Sequence, residues 1–376
     1  MAPTERSARF RSSTFLSGLT WETTPERFPG TQSDMHWSMW SADGDVYTVD
    51  DDGRNFGSPW NFAQLMRVTG TPPHHEVSLV TQFPDLKRSG HMRCQRYVDG
   101  AIAVGNRLHV AVYDYDDDVP GFEDEWEIVN RISPHGGVAG IMYSDDAGRT
   151  WNNVPPPSLG PDDYFLGQRF AGLAFVGFGP GSTGVPARFG DYAYAISNDV
   201  NWETGDHVFL ARVPLDSMTD RSRWEFFASH GEGASPIEEP VWSPREDRAR
   251  PVLRDPGRIG HPTMTYVPAL ERFLLTYSTD PVTHTFNTPR EVALSTWDRS
   301  TELLVLEGPT PWGPWGLVHH EPEWDAPHTP YLPQVPGKWL DEDGLGGWMI
   351  HSGDYVIPDE QGDYYGFMTR RFRLHR

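Results

Sequence analysis

Ser144-Asp145-Asp146-Ala147-Gly148-Arg149-Thr150-Trp151 follows a β-rich run, Gly140–Tyr143, and reads as a tight hairpin turn. The Ser and Asp side chains can bond the backbone of such a turn, Gly148 can take a positive φ, and Trp151 can pack under the hairpin. Asp146 is therefore assigned to architecture. Working outward, the same grammar recurs. Short β-rich runs such as His36–Ala42, Val46–Val49, Ala101–Val104, Leu108–Tyr113, Ala171–Phe178, Tyr192–Ile196, His207–Val213, Met264–Val267, Phe273–Tyr277, Val292–Thr296, Trp348–His351 and Tyr364–Arg370 are each closed by turn residues. No segment keeps a 3.6-residue apolar period over three turns.

Composition agrees. The 376 residues include 37 Gly and 34 Pro, which penalise helix interiors, and 15 Trp within 13% aromatics, enough to bury a large core. A net charge of −22 argues against a nucleic-acid backbone or an anionic membrane as partner. The single cysteine, Cys94, excludes an intramolecular disulfide and reads as a small buried hydrophobe. No apolar run approaches the ~18 residues of a membrane span. The opening MAPTERSARFRSSTFLSG lacks a secretory pattern, so the expectation is a cytosolic chain or one whose leader has been removed.

Five stretches begin with a strand containing a small residue and return with an aromatic-rich one, starting near His36, Gly100, Phe170, His261 and Trp339. Radial repetition of strand groups predicts a single all-β propeller, most simply five-bladed, with long inter-strand loops. Residues 1–25 are expected to form a tail or closing segment and 26–376 the propeller, which carries the catalytic function. The Ser144–Trp151 turn, with its pattern Ser-x-Asp-x-Gly-x-Thr-Trp, resembles the Asp-box of sialidases and other propellers.

The densest chemistry is Ser33-Asp34-Met35-His36-Trp37-Ser38-Met39-Trp40, a turn at Asp43-Gly44, then Tyr47-Thr48-Val49-Asp50-Asp51-Asp52-Gly53. This places several acids near one rim. Cleavage of a glycosidic bond needs two carboxyl groups, one protonated and one ionised, roughly 5–9.5 Å apart. Asp34 and Asp52 are the candidates, whereas Asp50 reads as part of a solvated turn.

The stretches DMHWSMWSADGDVYTVDDDG, FLARVPLDSMTDRSRWEFF, ERFLLTY, PTPWGPW and PGKWLDEDG…IHSG, in that order, resemble the domain-of-unknown-function family 4185, from about Asp34 to Gly353. The resemblance implies a five-bladed propeller and a glycoside hydrolase, since characterised members include endo-D-arabinanases. It also implies that the family's acids beside the first strand pair fall on Asp34 and Asp52. The chain departs from the pattern in the insert Asp114–Asn130 and in Asp51, where Gly is usual.

His36, Trp37, Asp51, Arg258, His261 and Trp339 are candidate substrate-binding residues on the same rim. An Arg can hold a hydroxyl pair or a carboxylate with two donors, and Arg258 could equally pair with Asp255 at the surface. Trp37, Trp40, Trp312, Trp315 and Trp339 suit stacking on sugar faces, though most Trp in a propeller packs between blades. The acids from Asp114 to Glu127 could hold a structural Ca²⁺ but lack an EF-hand pattern, and a solvated loop is the ordinary reading. No motif demands a cofactor or a metal, and the adjacent pairs His74-His75 and His319-His320 have no zinc spacing. The expected partner is a carbohydrate, with the chain a monomer or small homo-oligomer. Two alternatives compete: a polysaccharide lyase using His36 or His261 as base beside Arg258, and a propeller that binds glycan without cleaving it.

Overall fold

The computed structural model describes residues 10–83, 86, 95–115, 135–157, 159, 163–170, 172–199, 205–279, 301–353 and 364–376. Within them the regular elements are β-strands and three-residue 3-10 turns. No helix among the described residues is long and apolar enough to cross a membrane.

The strands group into five successive antiparallel sets. The first holds β3 (Asp34–Trp40), β4 (Val46–Gly53), β5 (Asn61–Thr69) and β6 (Glu76–Gln82), and the second β7 (Gln95–Val104), β8 (Arg107–Tyr115) and β9 (His135–Ser144). The third holds β10 (Gly172–Phe175), β11 (Tyr192–Asn198) and β12 (Gly205–Pro214), with β13 (Glu225–Ser229) and β14 (Val241–Ser243) at its edge. In the fourth, β15 (Pro251–Val267) is followed by β16 (Arg272–Thr279), β17 (Thr301–Gly308) and β18 (Gly316–Trp324). The fifth joins β19 (Pro330–Gln334), β20 (Gly346–Gly353) and β21 (Met368–His375) to β1 (Gly18–Trp21) and β2 (Glu26–Arg27) from the other end of the chain. Pairing of β1 with β21, from Gly18↔His375 to Trp21↔Phe372, covers the last set with the start of the chain.

This is a propeller. The innermost strands β3, β7, β10, the second half of β15, and β19 touch in that cyclic order, and β19 returns to β3. β15 serves two sets: up to Ile259 it pairs with β12, and from Gly260 it pairs with β16, with a register shift at His261-Pro262. Pro262 has no N–H for a ladder, so it fits the point where the strand changes partners. Hydrogen bonding thus fuses the third and fourth sets into one nine-stranded sheet.

Stacking explains the sequence pattern. A blade covered on both faces buries every residue of a strand, and β4 and β20 are buried throughout. Val46, Met66 and Val68 pack toward Trp348, Ile350 and Phe367, while Tyr47, Val49 and Leu65 pack toward Val98, Ala101 and Val110. Such strands read as continuous apolar runs rather than clean alternation.

The strand groups begin near four of the five expected places. The fifth begins at Pro330 instead of Trp339, because Trp339 sits in a 3-10 turn between β19 and β20. Val292–Thr296 lies outside the described residues. The turn of residues 144–151 is closed as its chemistry requires. Asp146 Oδ1 accepts from the Thr150 N–H (2.8 Å), Asp146 Oδ2 from the Thr150 hydroxyl (2.7 Å), and Ser144 Oγ from the Gly148 N–H (2.9 Å). Trp151 donates to the Gly148 carbonyl (3.1 Å) and packs its ring on Phe83. A Cβ on Gly148 would lie 2.0 Å from Leu65 Cδ2, and its φ is +87°, so both space and conformation call for glycine.

Candidate active site

Side-chain hydrogen bonds near the starts of the inner strands tie neighbouring sets together. The Tyr331 hydroxyl at the start of β19 donates to Asp34 Oδ2 at the start of β3 (2.8 Å). The His261 ring lies 5.5 Å from the Tyr331 ring. The Val98 N–H of β7 donates to Asp51 Oδ1 (3.2 Å), and the Leu173 N–H of β10 donates to Asp99 Oδ2. One end of the propeller axis is therefore lined by acids and tyrosines. Toward the other end, a small cavity is lined by Met39, Trp40, Ala103 and Val335.

Local backbone geometry gathers the acids. β4 runs past Gly53 so close to the preceding chain that a Cβ there would lie 2.3 Å from Gln32 O and Ser33 Cβ. That approach brings the end of β4 onto the start of β3, where Asp34 pairs with Asp51. Met35 and Asp52 take positive φ, +56° and +40°, and a register shift separates Asp34 from Trp37. Non-glycine residues in this region mark backbone held by its surroundings. Tyr365 supplies one such hold by donating to the Asp52 carbonyl oxygen (2.6 Å).

Asp50, Asp51 and Asp52 lie in a strand, which corrects the expectation of a solvated turn at Asp50. That residue is fully buried; Asn55 Nδ2 donates to its Oδ2 (2.6 Å), and Asn55 Oδ1 accepts from the Gln32 N–H (2.8 Å). Asp50 thus pins the chain that carries Asp34. The sequence concealed this because three consecutive acids look like surface, and only stacking of the blade on its neighbours removes them from water.

Among the described residues no cation pairs with Asp34, Asp50, Asp51 or Asp52. Burial drives Asp34 well above the ordinary carboxylate range, the nearby Asp52 adds to this, and the Tyr331 hydrogen bond opposes it. Burial, then the charges of Asp34 and Asp52, raise Asp51 in the same way. Burial raises Asp52 to about 7, against the hydrogen bond from Tyr97. Tyr97 and Tyr113 stack with centroids 5.8 Å apart, forming an aromatic wall beside these acids. All four are buried, with Asp52 at 8% and Asp34 at 6% keeping slightly more exposure than Asp50 and Asp51. Repulsion within such a cluster drives the pKa values of its members apart, which is how acid and base roles are separated.

Arg258 and His261 part company. His261 reaches the acids through Tyr331, whereas Arg258 is bound by Glu302, a fully buried carboxylate that also takes His320 (3.2 and 3.1 Å). The alternative of a surface pair with Asp255 is not what forms: Asp255 accepts from the Tyr277 hydroxyl (3.0 Å).

Three substrate-binding expectations are corrected by packing. His36 is buried against Phe367, with ring centroids 5.2 Å apart, and burial lowers its pKa to about 3, so the lyase reading loses that base. Trp37 belongs to the packed layer between the first and second sets. Trp339 packs with Val46, Met66 and Trp348 and donates to the Gly70 carbonyl. Trp312 is likewise buried. From the acidic run, Asp114 pairs with Arg96 (2.6 Å), and residues 116–127 lie outside the described residues, as do Cys94 and Lys87. No group of three metal-ligating side chains occurs among the described residues. Tyr97, Tyr331 and Tyr365 were missed by sequence reasoning, since they reach the acids only across blades.

Fold and site together define an all-β propeller with a buried group of carboxylates that no cation among the described residues meets. Residues 121–319 match the family described as "Domain of unknown function (DUF4185)", and the chain belongs to that family. No curated protein matches the chain. Solved structures of similar fold include a candidate hydrolase from Bacteroides ovatus ATCC 8483 (11% identity, 100% of this chain and 96% of that one, TM-score 0.54). They also include an α-L-arabinofuranosidase from Lactobacillus brevis (12%, 92% of each chain, 0.47). An endo-arabinase from Bacteroides thetaiotaomicron VPI-5482 is a further example (9%, 94% and 98%, 0.45).

Proposed function

We propose that this chain is a glycoside hydrolase acting on an oligo- or polysaccharide, with Asp34 and Asp52 as its acid–base pair. One observation supports the reading: two buried carboxylates near one another have no described cation beside them, and burial pushes Asp52 up to about 7. A glycosidase needs one carboxyl group to protonate the leaving oxygen while the other acts as base or nucleophile. A group with a pKa near the working pH does the first job best. Tyr331 and Tyr97 orient the two acids, and the charges of that pair push the buried Asp51 beside them toward its neutral form. Catalysis belongs to the propeller of residues 26–376, with residues 1–25 as its closing segment.

D-arabinan is the first substrate to try, on the strength of the family resemblance. Incubation with arabinan, xylan and a uronate polymer, followed by product analysis, tests the reading. New reducing ends without ultraviolet-absorbing unsaturated uronides support it. Unsaturated uronides would instead mean a lyase, and binding with no product would mean a carbohydrate-binding propeller.

A further inference from the structure

The connection between β4 and β5 carries an unusual surface. Phe56, Trp60 and Phe62 are 42%, 47% and 38% exposed, and they are the only large aromatic side chains so exposed among the described residues. The remaining exposed large hydrophobics, Ile237 and Val241, are aliphatic and belong to the third strand set.

This aromatic stretch adjoins the acids. Between the register pairs Asp51↔Ala63 and Gly53↔Asn61, Phe62 stands across from Asp52. Its ring meets Tyr97 edge-on at 6.0 Å, and Tyr97 is hydrogen-bonded to Asp52. Trp60 lies two residues farther out, with the Arg54 guanidinium 5.7 Å from its ring. The connection is also anchored. The Phe56 N–H donates to the Gly30 carbonyl (2.7 Å), and Gln82 Nε2 donates to the Pro59 carbonyl (2.7 Å). Asn55, at the base of the connection, is locked to Ser33 and Asp50.

Water-exposed aromatic rings on a well-held backbone forgo burial that the rest of the chain achieves, and they offer flat apolar faces beside polar donors. The faces of sugar rings, with their axial C–H groups, are complementary to such a surface, and the guanidinium can donate to ring hydroxyls. A neutral glycan also suits a chain of net charge −22, on which a polyanion would be repelled. We infer that Phe62 and Trp60 form outer sugar-binding positions continuous with the Asp34–Asp52 opening, so that the substrate is a glycan chain several residues long rather than a terminal sugar alone. The inference rests on the glycosidase reading above.

The test compares polymer with monomer. Trp60→Ala and Phe62→Ala are assayed on D-arabinan and on 4-nitrophenyl arabinofuranoside, with Ile237→Ala as a control, and each folded variant is run through gels containing arabinan. The expected result is a fall of about tenfold or more in kcat/KM for polymer relative to the aryl glycoside, carried mainly by KM. Gel retardation should weaken in parallel, Trp60→Phe should recover most of the loss, and Ile237→Ala should show none. An unchanged polymer-to-monomer ratio in both alanine variants overturns the inference while leaving the glycosidase reading intact, as does wild-type cleavage of the aryl glycoside with none of the polymer. A folded wild-type protein that cleaves neither substrate on any sugar tested overturns both.

Discussion

Arg96–Asp114 and Asp34–Asp52 sit in neighbouring blades and are comparably buried, yet they are built oppositely. Asp114 receives Arg96 Nε at 2.6 Å and Nη2 at 3.3 Å, along with the Tyr164 hydroxyl, and Arg96 Nη1 donates to the Pro155 and Pro156 carbonyls. Its charge is matched and its lone pairs are used. The Asp34 group has no described cation, and Asp34 Oδ1 and Asp50 Oδ1 find no hydrogen-bond partner among the described residues. Burying carboxylates without neutralising them costs stability, and protein interiors ordinarily avoid it. The first arrangement is what a fold does with a buried acid when only structure is at stake. The second keeps protons available.

That contrast can be broken most directly at the acids. Asp34→Asn and Asp52→Asn are each expected to lower turnover by about 10²- to 10⁴-fold, the range for removal of an acid–base group. Near-ultraviolet circular dichroism should show both variants folded. Wild-type turnover in either folded variant would remove that residue from the chemistry and weaken the distinction between the two clusters. The pH–rate profile should be a bell whose limbs belong to the group rather than to one acid.

On the structural side, Arg96→Met leaves Asp114 buried without its cation. Breaking one partner of a buried pair costs about 3–5 kcal/mol. Urea unfolding should report that loss, while turnover per folded molecule stays near wild type. A cost below about 1 kcal/mol would place this pair with exposed ion pairs, which contribute little.

The Trp151 hairpin is a purer case of architecture. Its ring is half-buried on Phe83, so Trp151→Ala should cost about 2–3 kcal/mol, less than the range for fully buried aromatics. Turnover in the folded fraction should be unchanged. A folded variant with impaired turnover would give the hairpin a part in the site.

How much of this was legible beforehand depends on range. The turn at residues 144–151 was readable because its bonds span at most four residues. The propeller followed from repetition of such local signals, and Asp34 and Asp52 became candidates because acids flank one hairpin. What failed was depth. Trp37 and Trp339 looked suited to sugar because tryptophan chemistry is the same in a blade interface and in a groove, and only stacking decides between them. Trp60, just before β5, and Phe62, its second residue, are aromatics that stay exposed, and no local pattern set them apart from the buried ones. Tyr331 lies 297 residues from Asp34, and no local pattern could join them.

The smallest expected effect separates the clusters by the sign of a stability change. The pKa of Asp52 rises from an ordinary 3.8 to about 7 on folding, chiefly through burial. Below about pH 4 the folded and unfolded chains both hold this proton, and the site costs nothing. Between about 4 and 7 the unfolded chain releases it while the folded chain keeps it, so stability falls as pH rises; above about 7 both are ionised and the loss is complete. Three pKa units set a ceiling of about 4 kcal/mol, and sharing of protons with Asp34 holds the effect of one residue below that. Asp52→Asn removes the titration but keeps a polar partner for Tyr97. It should therefore match the wild type in stability near pH 4 and exceed it by on the order of 1 kcal/mol at pH 8, read as a higher melting temperature. Asp114→Asn, which uncouples Arg96, should be less stable than wild type at pH 8. A stabilised Asp114→Asn, or an Asp52→Asn protein that is destabilised at pH 8 and not at pH 4, would show that the two buried acids are held by the same kind of interaction after all.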